Sequence, residues 1–498
     1  MLANEGFSLF YRVNMPSIFG LNPLYFNMSQ QISPSEAIPT EPLVEEKALK
    51  RERVKFGFGS ILFQSEEVGL GALPTVVIRS FGGSDFHVGL IGGASGLSSF
   101  MQFAGNSILR WQGSNRRAMI ASMLAGFLVA AGIGAVIFMG SGPEFRSIAL
   151  ILFLILSLAF MGLGGIQWNI ETNWIGDLVS KERLGRFNSY KWALSVFGIV
   201  AFTYLIGRVA DRFPHSGGYS AIYAMFAVSF LIACLVYRRI PDRKPQVLSF
   251  FSKDASREVR LNYRSVALWY YSLFFIFWAG GRSMLSAFMF LFLKESYGYS
   301  MTKIALLVMI QHTVSVLVLL FMGHIAERLK GSRLPLFIIS AMVCTSMLLW
   351  CTTPWFGIVP IILYQIIAGG AGMTHGMLAT NLGLEIFPAT GRAAYIGFSR
   401  IMLGTACIVT PIIAGALLTL FQGFEITVAG ALVSRYHLLF LLSALVTGGC
   451  LIPLAALKNK RVENLEAMEK VDFFLLIAFC LSGSLYAAGS SFSLQLSV

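Results

Sequence analysis

The sequence predicts an all-α integral membrane protein with twelve transmembrane helices in two pseudo-symmetric six-helix bundles. Three observations support this fold class: the composition, the apolar stretches and an internal repeat. Hydrophobic residues make up 56% of the 498 residues, charged residues make up 13%, and the mean hydropathy is +0.70. Soluble domains carry far more charge than this. The expected solvent of the chain is therefore a bilayer.

Twelve apolar stretches are long enough to cross a membrane as helices. About 20 residues cover the roughly 30 Å of hydrocarbon, and short polar breaks separate stretches of about this length. We place the spans at 57–78, 87–109, 117–139, 147–170, 188–207, 219–240, 267–292, 302–325, 334–353, 357–383, 393–420 and 433–457. A further apolar segment at 473–489 is short for a span, and we interpret it as an accessory segment outside the core.

Two sequence echoes show that the halves of the chain are related. The stretch GNSILRWQGS at Gly105 recurs as GHIAERLKGS at Gly323, with the same Gly, Arg, Gly and Ser positions at a constant offset of 218 residues. A second echo repeats two polar residues and an acid, Thr172, Asn173 and Asp177, as Thr380, Asn381 and Glu385. Duplication of long apolar stretches is typical of secondary transporters.

The distribution of lysine and arginine predicts the orientation in the membrane. These residues concentrate before the first span, after the last, and in the loops that follow even-numbered spans. Because cytoplasmic loops retain positive charge, we expect both ends of the twelve-helix core to be cytoplasmic in a multi-pass plasma membrane protein. Topology then explains the net charge of +13. The basic residues form no single face, so we expect no nucleic-acid partner.

The longest charged interruption, at 241–265, divides the spans six and six. It predicts a cytoplasmic linker between an N-terminal bundle at 55–240 and a C-terminal bundle at 266–457. Residues 1–54 form a polar N-terminal tail, and 458–498 form a C-terminal tail with the short apolar segment. Residues 1–54 mix polar, proline and aromatic residues without the apolar core of a signal peptide, and one hypothesis is that translation starts at Met28.

Cofactor and metal motifs are absent from the sequence. The six cysteines have no CxxC pair and no histidine at ligand spacing, so we interpret them as small buried residues. No GxxxxGK[ST] motif occurs, which gives no support to ATP-driven pumping. We therefore expect no cofactor.

Two six-helix repeats, a long central loop and Gly-x4-Arg-x2-Gly-Ser after the second and eighth spans resemble the major facilitator superfamily, over about residues 55–457. In that family an acid precedes the arginine of the loop signature. Here Glu327 precedes Arg328, whereas Leu109 precedes Arg110. The departure in the first half puts in doubt the family's usual arrangement of the cytoplasmic gate.

Charged residues at the cytoplasmic helix ends are candidates for that gate. Opposite charges can pair when two bundles close and separate when they open, which makes a two-state element. The alternative is that these are solvated loop charges that only fix topology. The candidates are Arg110, Arg116, Asp177 and Arg186 in the first half, with Glu327, Arg328, Arg333, Glu385 and Arg392 in the second.

Charges within the spans point to a binding site, because an ionised group at the bilayer centre costs about 2.5 to 3.5 kcal/mol. Glu66 and Glu67 lie in the middle of the first span. Aligning that span with the seventh by Phe81-Gly82 onto Tyr297-Gly298 carries Glu66 onto Arg282. In the resembling family these helices are symmetry mates that line the cavity, so we hypothesise a substrate- or proton-responsive Glu66–Arg282 pair, with Glu67 as the alternative carboxylate. A static buried ion pair is the other interpretation.

Further polar residues in the spans are candidates for the same cavity. Gln167, Glu171 and Trp174 share one helical face by their spacing. His312 and His375 are candidates for proton transfer or for hydrogen bonds between helices. Glycines at 89, 92, 93 and 96, and at 372 and 376, have the spacing of close helix contacts.

These features predict a secondary active transporter that moves a small polar organic solute by alternating access, with proton- or cation-coupled uptake. The coupling ion is a proton or sodium, and we expect a monomer. Drug exporters of the resembling family usually carry an arginine in the fourth helix and a Gly-Pro motif in the fifth, which this chain lacks. Proton-coupled efflux of drugs or metabolites and a transporter-like receptor without flux remain alternatives, whereas no catalytic constellation supports an enzyme.

Overall fold

The computed structural model describes residues 46–179, 181–242, 262–326, 332–387 and 392–457. Side chains are described for most of these, but not for 63–72, where Glu66 and Glu67 lie within a helix. The described residues are helical apart from short connections and one β-hairpin. We call 46–242 the first half and 262–457 the second half.

The first half contains seven described α-helices, because one expected span is divided in two. They are α1 (Glu46–Ser80), α2 (Asp85–Gly92), α3 (Ala94–Gln112), α4 (Asn115–Met139), α5 (Arg146–Leu178), α6 (Lys181–Arg212) and α7 (Ser216–Tyr237).

The second half contains eight described α-helices, two of which are short, and a hairpin. They are α8 (Val266–Tyr297), α9 (Met301–Ala326), α10 (Arg333–Met347), α11 (Thr353–Phe356), α12 (Val359–Ile386), α13 (Arg392–Leu420), β1 (Glu425–Val428), β2 (Ala431–Ser434), α14 (Arg435–Gly448) and α15 (Leu451–Ala456).

The described helices follow the order of the expected spans. Within the described residues, ten helical stretches are long and apolar enough to cross a membrane. The two other expected spans, 57–78 and 87–109, correspond to α1 and to α2 with α3. Helix α1 begins at Glu46, well before residue 57, because its charged first turns are good helix formers and Lys55 pairs with Glu52 at 2.6 Å.

The hairpin between α13 and α14 was not predicted from the sequence. Four residue pairs form the antiparallel ladder, from Glu425 opposite Ser434 to Val428 opposite Ala431. Ala429 and Gly430 both have positive φ, 50° and 78°, as a two-residue type I′ turn requires. The sequence does not predict this turn, because alanine rarely adopts a positive φ.

Polar contacts identify the two ends of the helical assembly. At one end α1 finishes and α2 begins, and Arg79 of α1 bonds to Glu295 of α8. At the other end α3 finishes and α4 begins, and Asn115 of α4 bonds to Asp177 of α5. We call these the Arg79 end and the Asn115 end.

Glycines allow the two halves to approach closely, as the sequence predicted for α2 and α3. A Cβ atom at Gly89 would lie 2.3 Å from the Pro411 carbonyl oxygen of α13, and one at Gly96 would lie 2.4 Å from that of Gly404. The prediction for Gly372 and Gly376 was wrong, because a Cβ there would meet open space. Glycines four residues apart thus lie at a close helix contact in one case, whereas in α12 they leave an open strip along the helix.

Candidate functional site

A network of charges joins the two halves at the Arg79 end. Asp85 of α2 forms ion pairs with Arg79 and with Arg435 of α14, the latter at 2.8 Å. Arg79 Nε donates to Glu295 Oε1 at 2.8 Å, and the Tyr436 hydroxyl donates to Glu295 Oε2 at 2.5 Å. Burial disfavours the charge of Arg79, but Glu295 and Asp85 outweigh it and raise the pKa of Arg79. We call these five residues the Arg79 network.

A second contact at this end joins α6 to α9. The Asp211 carboxylate accepts the backbone N–H groups of Met301 and Thr302 at 2.7 and 2.8 Å. These N–H groups belong to the first turn of α9, where no partner exists within the helix. A Cβ atom at Gly207 would lie 2.9 Å from the Thr302 Cα atom. The first half therefore caps and packs against a helix of the second half.

The polar contacts described at the Asn115 end stay within one half. In the first half, Asn115 Nδ2 donates to Asp177 at 2.7 Å, and Asp242 accepts from the Ser114 hydroxyl at 2.5 Å. In the second half, Glu385 accepts from the Ser332 hydroxyl at 2.7 Å. The two acids of the repeated sequence therefore have equivalent roles. Asp177 accepts a hydrogen bond from the start of α4, and Glu385 accepts one from the start of α10.

The candidate gate residues are distributed as follows. Arg333 donates to the backbone carbonyl of Leu454 at 3.1 Å and to that of Ala455, both in its own half, and Arg116 is exposed. Arg110, Arg186 and Arg392 lie within helices, but their side chains are outside the described residues, as are Glu327 and Arg328 entirely. The proposed pairing across the halves is therefore untested.

A cavity of about 390 Å³ lies between the halves. Helices from both halves line it, and α9 contributes one face that includes Gln311 and the predicted residue His312. Its other polar residues include Thr75, Thr203 and Ser286. Small-molecule sites are commonly of this volume. The cavity therefore has room for a small solute.

Arg282 lies one helical turn from Ser286 of that cavity, about 6 Å nearer the Asn115 end. Its Cζ atom lies 5.3 Å from the centre of the Trp278 ring. Trp278 stacks on His375 with ring centres 3.5 Å apart and planes 6° apart, and Phe274 stacks on His375 at 5.4 Å. His375 is 3% exposed, and its Nε2 atom has no hydrogen-bond partner among the residues that the structure describes. The stack holds the predicted residues Arg282 and His375 in one group.

A second arginine, Arg400 of α13, contacts α8, the helix that carries Arg282. Its Cζ atom is 5.2 Å from the centre of the Phe275 ring, and Nη2 donates to the Thr380 hydroxyl at 3.4 Å. Thr380 continues the open strip of Gly372 and Gly376 along α12 at a spacing of four residues. The result is an accessible strip with a guanidinium beside it.

The predicted face of Gln167, Glu171 and Trp174 is buried inside the first half. Gln167 donates to the Ser122 carbonyl at 3.1 Å, and Trp174 donates to the Pro241 carbonyl at 3.0 Å. Each of these partners belongs to the same half. We expected this face at the cavity, but its apolar surroundings bury it against α4 and α7.

Glu171 belongs to a buried polar cluster that the sequence analysis did not assemble. Its carboxylate forms an ion pair with Lys191 of α6 and accepts from the Ser60 hydroxyl at 2.6 Å and the Tyr237 hydroxyl at 2.8 Å. Glu171 is 1% exposed and Lys191 is 4% exposed. The cluster joins α1, α5, α6 and α7. Two intramembrane charges at 171 and 191 were the available sequence signal, since such charges usually pair.

Comparison with known proteins identifies the family. The family model of the Major Facilitator Superfamily matches residues 58–384. No curated protein sequence matches the chain significantly.

Solved structures with a similar fold are transporters. The nucleoside transporter NupG is 14% identical, with a TM-score of 0.61 over 81% of this chain and 98% of that one. The xylose transporter XylE from E. coli, in an inward open conformation, is 14% identical, with a TM-score of 0.57 over 82% and 99%. A D-xylose–proton symporter is 15% identical, with a TM-score of 0.59 over 79% and 96%. At these identities the likeness concerns the fold alone.

Proposed function

Because the chain belongs to the Major Facilitator Superfamily, we propose that it is a secondary active transporter that moves a small polar organic solute across the plasma membrane by proton- or cation-coupled uptake. The proposal includes twelve spans in two six-helix bundles, 55–240 and 266–457, joined by the linker 241–265. The chain acts as a monomer, and the Asn115 end faces the cytoplasm, since the basic loops lie there.

One observation carries the proposal: the halves are tied together at the Arg79 end, above a cavity that both of them line. The polar contacts described at the Asn115 end remain within each half. Among the described residues, contacts between the halves at one end and contacts within each half at the other support alternating access. In this orientation, the structure represents a state closed to the outside.

The Arg79 network supplies the two-state element of the proposed cycle. Two of its ion pairs, Arg79–Glu295 and Asp85–Arg435, exist only while the Arg79 ends of the two halves are in contact. Opening that end breaks them, and the gate charges at the Asn115 end form compensating pairs as that end closes. Solute shifts the balance only if it binds the two states differently. The cavity between the halves allows such a difference, because rocking of the halves changes its walls.

Coupling is assigned to Glu66, with Arg282 as its charge partner. Helix α1 carries Glu66, the Glu66 position aligns with Arg282 in the repeat, and Arg282 lies beside the cavity. A guanidinium close to a carboxylate favours its ionised form, and its withdrawal favours protonation. Solute that attracts Arg282 therefore lets Glu66 take up a proton. Glu67 is the alternative carboxylate, and His312 and His375 complete the proposed site, whereas Gln167 and Glu171 are buried within the first half and lie outside it.

Flux measurement in liposomes tests the function. The full chain is reconstituted, and uptake of labelled sugars, amino acids, nucleosides and carboxylates is followed with and without an inward proton or sodium gradient. We expect accumulation of one class, driven by one of the gradients. Glu66→Gln should abolish gradient-driven uptake and keep solute exchange, whereas Glu144→Gln, at an exposed loop, should change neither.

The same experiment decides between the alternatives. Full coupled uptake in Glu66→Gln overturns the assignment of Glu66. Solute expulsion against its gradient establishes efflux. Saturable binding with no flux of any solute establishes a receptor and overturns the transport proposal.

A further inference from the structure

Two arginines in the second half lie within membrane spans. Arg282 is at the middle of α8, and Arg400 is two turns inside α13. A charge held at this depth is costly and requires a counter-charge or a functional reason. Arg282 lies over Trp278, which stacks on His375, and Arg400 lies over Phe275. The Phe275 ring contacts Phe274, which stacks on the same histidine. The two arginines therefore belong to one region.

Among its described residues, the second half has no carboxylate in this region. Its sequence between 266 and 457 contains only Glu295, Glu327, Glu385 and Glu425 as acids. Glu295 is engaged in the Arg79 network, Glu385 bonds to Ser332, and Glu425 is in the hairpin. Glu327 follows the last residue of α9 and lies outside the described residues. The described carboxylates of the second half thus leave the counter-charge for Arg282 and Arg400 to the first half or to a ligand.

The first half has few carboxylates available at this depth. Glu171 is paired with Lys191 in its own half. Glu66 and Glu67 are the other acids between the ends of the α1 span. In the proposed function one of them accepts the coupling proton, and a protonated carboxyl no longer neutralises an arginine. The proton-loaded state then leaves a net positive charge beside the cavity.

We propose that the transported solute is a small organic anion, and that Arg282 and Arg400 bind its carboxylate or phosphate group. Each guanidinium rests near an aromatic ring, Trp278 or Phe275, and a guanidinium so placed can still present N–H groups at its edge. Among the described residues neither arginine forms an ion pair. Paired N–H donors suit the two oxygens of a carboxylate or phosphate. The open strip at Gly372 and Gly376 gives the anion access beside Arg400.

Charge balance connects this solute with the proposed coupling. An anion brings the negative charge that proton uptake by Glu66 or Glu67 removes. Entry of both leaves the total charge of the region unchanged, so neither has to be buried without compensation. The inference rests on the proposed function, because it names the class of solute that the same site carries.

Thermal unfolding of the purified full chain tests the binding claim. The probes are lactate, succinate and glucose 6-phosphate, with glucose and uridine as neutral compounds. We expect at least one anion to raise the unfolding midpoint and the neutral compounds to leave it unchanged. A carboxylate hit with no phosphate hit, or the reverse, identifies the anionic group.

Variants then assign the effect to the two arginines. Arg282→Gln and Arg400→Gln should each raise the Kd of that anion about tenfold or more, and Arg282→Lys should raise it less, because lysine keeps the charge but loses the fork of donors. Arg208→Gln, at an exposed position of α6, should leave the Kd unchanged. Circular dichroism of each variant confirms that the helices are retained.

The outcomes separate this inference from the proposed function. Stabilisation by none of the anions, or an unchanged Kd in both arginine variants, overturns the anion assignment. Coupled uptake of glucose or uridine with unchanged KM in both variants overturns it while leaving the transporter intact. An anion that binds through Arg282 but is not moved in liposomes supports the anion-binding site and overturns transport of that anion.

Discussion

Arg79 and Glu295 form an ion pair between the two halves, with Nε and Oε1 2.8 Å apart, and they are separated by 216 residues. The same offset aligns the first expected span with the seventh and carries Glu66 onto Arg282. The pair thus joins equivalent positions of the repeat. One repeat has a cation at this position and the other has an anion. The difference allows the two equivalent positions to form an ion pair.

Removal of charge at Asp85 should open the Arg79 end. Asp85→Asn weakens ion pairs to Arg79 and Arg435 at a carboxylate that is 4% exposed. Charged hydrogen bonds of this kind contribute about 1.5 to 3 kcal/mol, enough to shift a two-state population at least tenfold. Spin labels at Phe86 and Leu420, exposed residues on opposite halves, should report a longer distance in the variant.

The control for that experiment is Glu144→Gln, because Glu144 is an exposed acid outside the Arg79 network. It should leave the distance distribution unchanged. An unchanged distribution in Asp85→Asn would show that the network does not hold this end closed.

Glycines that are equally spaced along their helices should differ sharply in tolerance. Gly96→Ala places a Cβ atom 2.4 Å from the Gly404 carbonyl oxygen, whereas Gly372→Ala places one in open space. We expect Gly96→Ala to lower the thermal midpoint and lengthen the distance between the halves. Gly372→Ala should keep or raise the midpoint, since alanine favours a helix by about 1 kcal/mol over glycine. Equal midpoints for the two variants would contradict this packing.

Loss of either charge of the buried Glu171–Lys191 pair should destabilise the protein. Glu171→Gln leaves the Lys191 ammonium without that carboxylate at a 4% exposed position, and removal of one partner from a buried pair costs about 3 to 5 kcal/mol. Lys191→Met leaves Glu171 with two hydroxyl donors, Ser60 and Tyr237. Unfolding midpoints of both variants and of the double variant measure the coupling. The double variant should recover much of the loss, and strict additivity would argue against a direct pair.

The orientation can be tested by cysteine labelling of intact cells. Arg116 and Glu144 are exposed residues that flank opposite ends of α4. In a background without native cysteines, Glu144→Cys should react with a membrane-impermeant maleimide from outside, and Arg116→Cys should react only after permeabilisation. The opposite pattern would place the Arg79 network at the cytoplasmic face and reverse the assigned state.

The repeat and the apolar stretches identified the helices because spanning a bilayer imposes a length and a composition that can be counted along the chain. They did not predict the hairpin at 425–434 or the break between α2 and α3 at Gly93. The hairpin depends on the positive φ angles of Ala429 and Gly430, which the pairing of the neighbouring strands selects.

The sequence by itself determined that this chain is a duplicated helical membrane protein with arginines and carboxylates inside its spans, because hydropathy and repetition are properties of the order of residues. Only the tertiary structure decided the partners of those charges. It brought Glu171 to Lys191, joined Arg79 to Glu295, and buried the face of Gln167 that we expected at the cavity. Helical periodicity identifies residues that share a face, but the packing of neighbouring helices decides whether that face meets a cavity, lipid or protein.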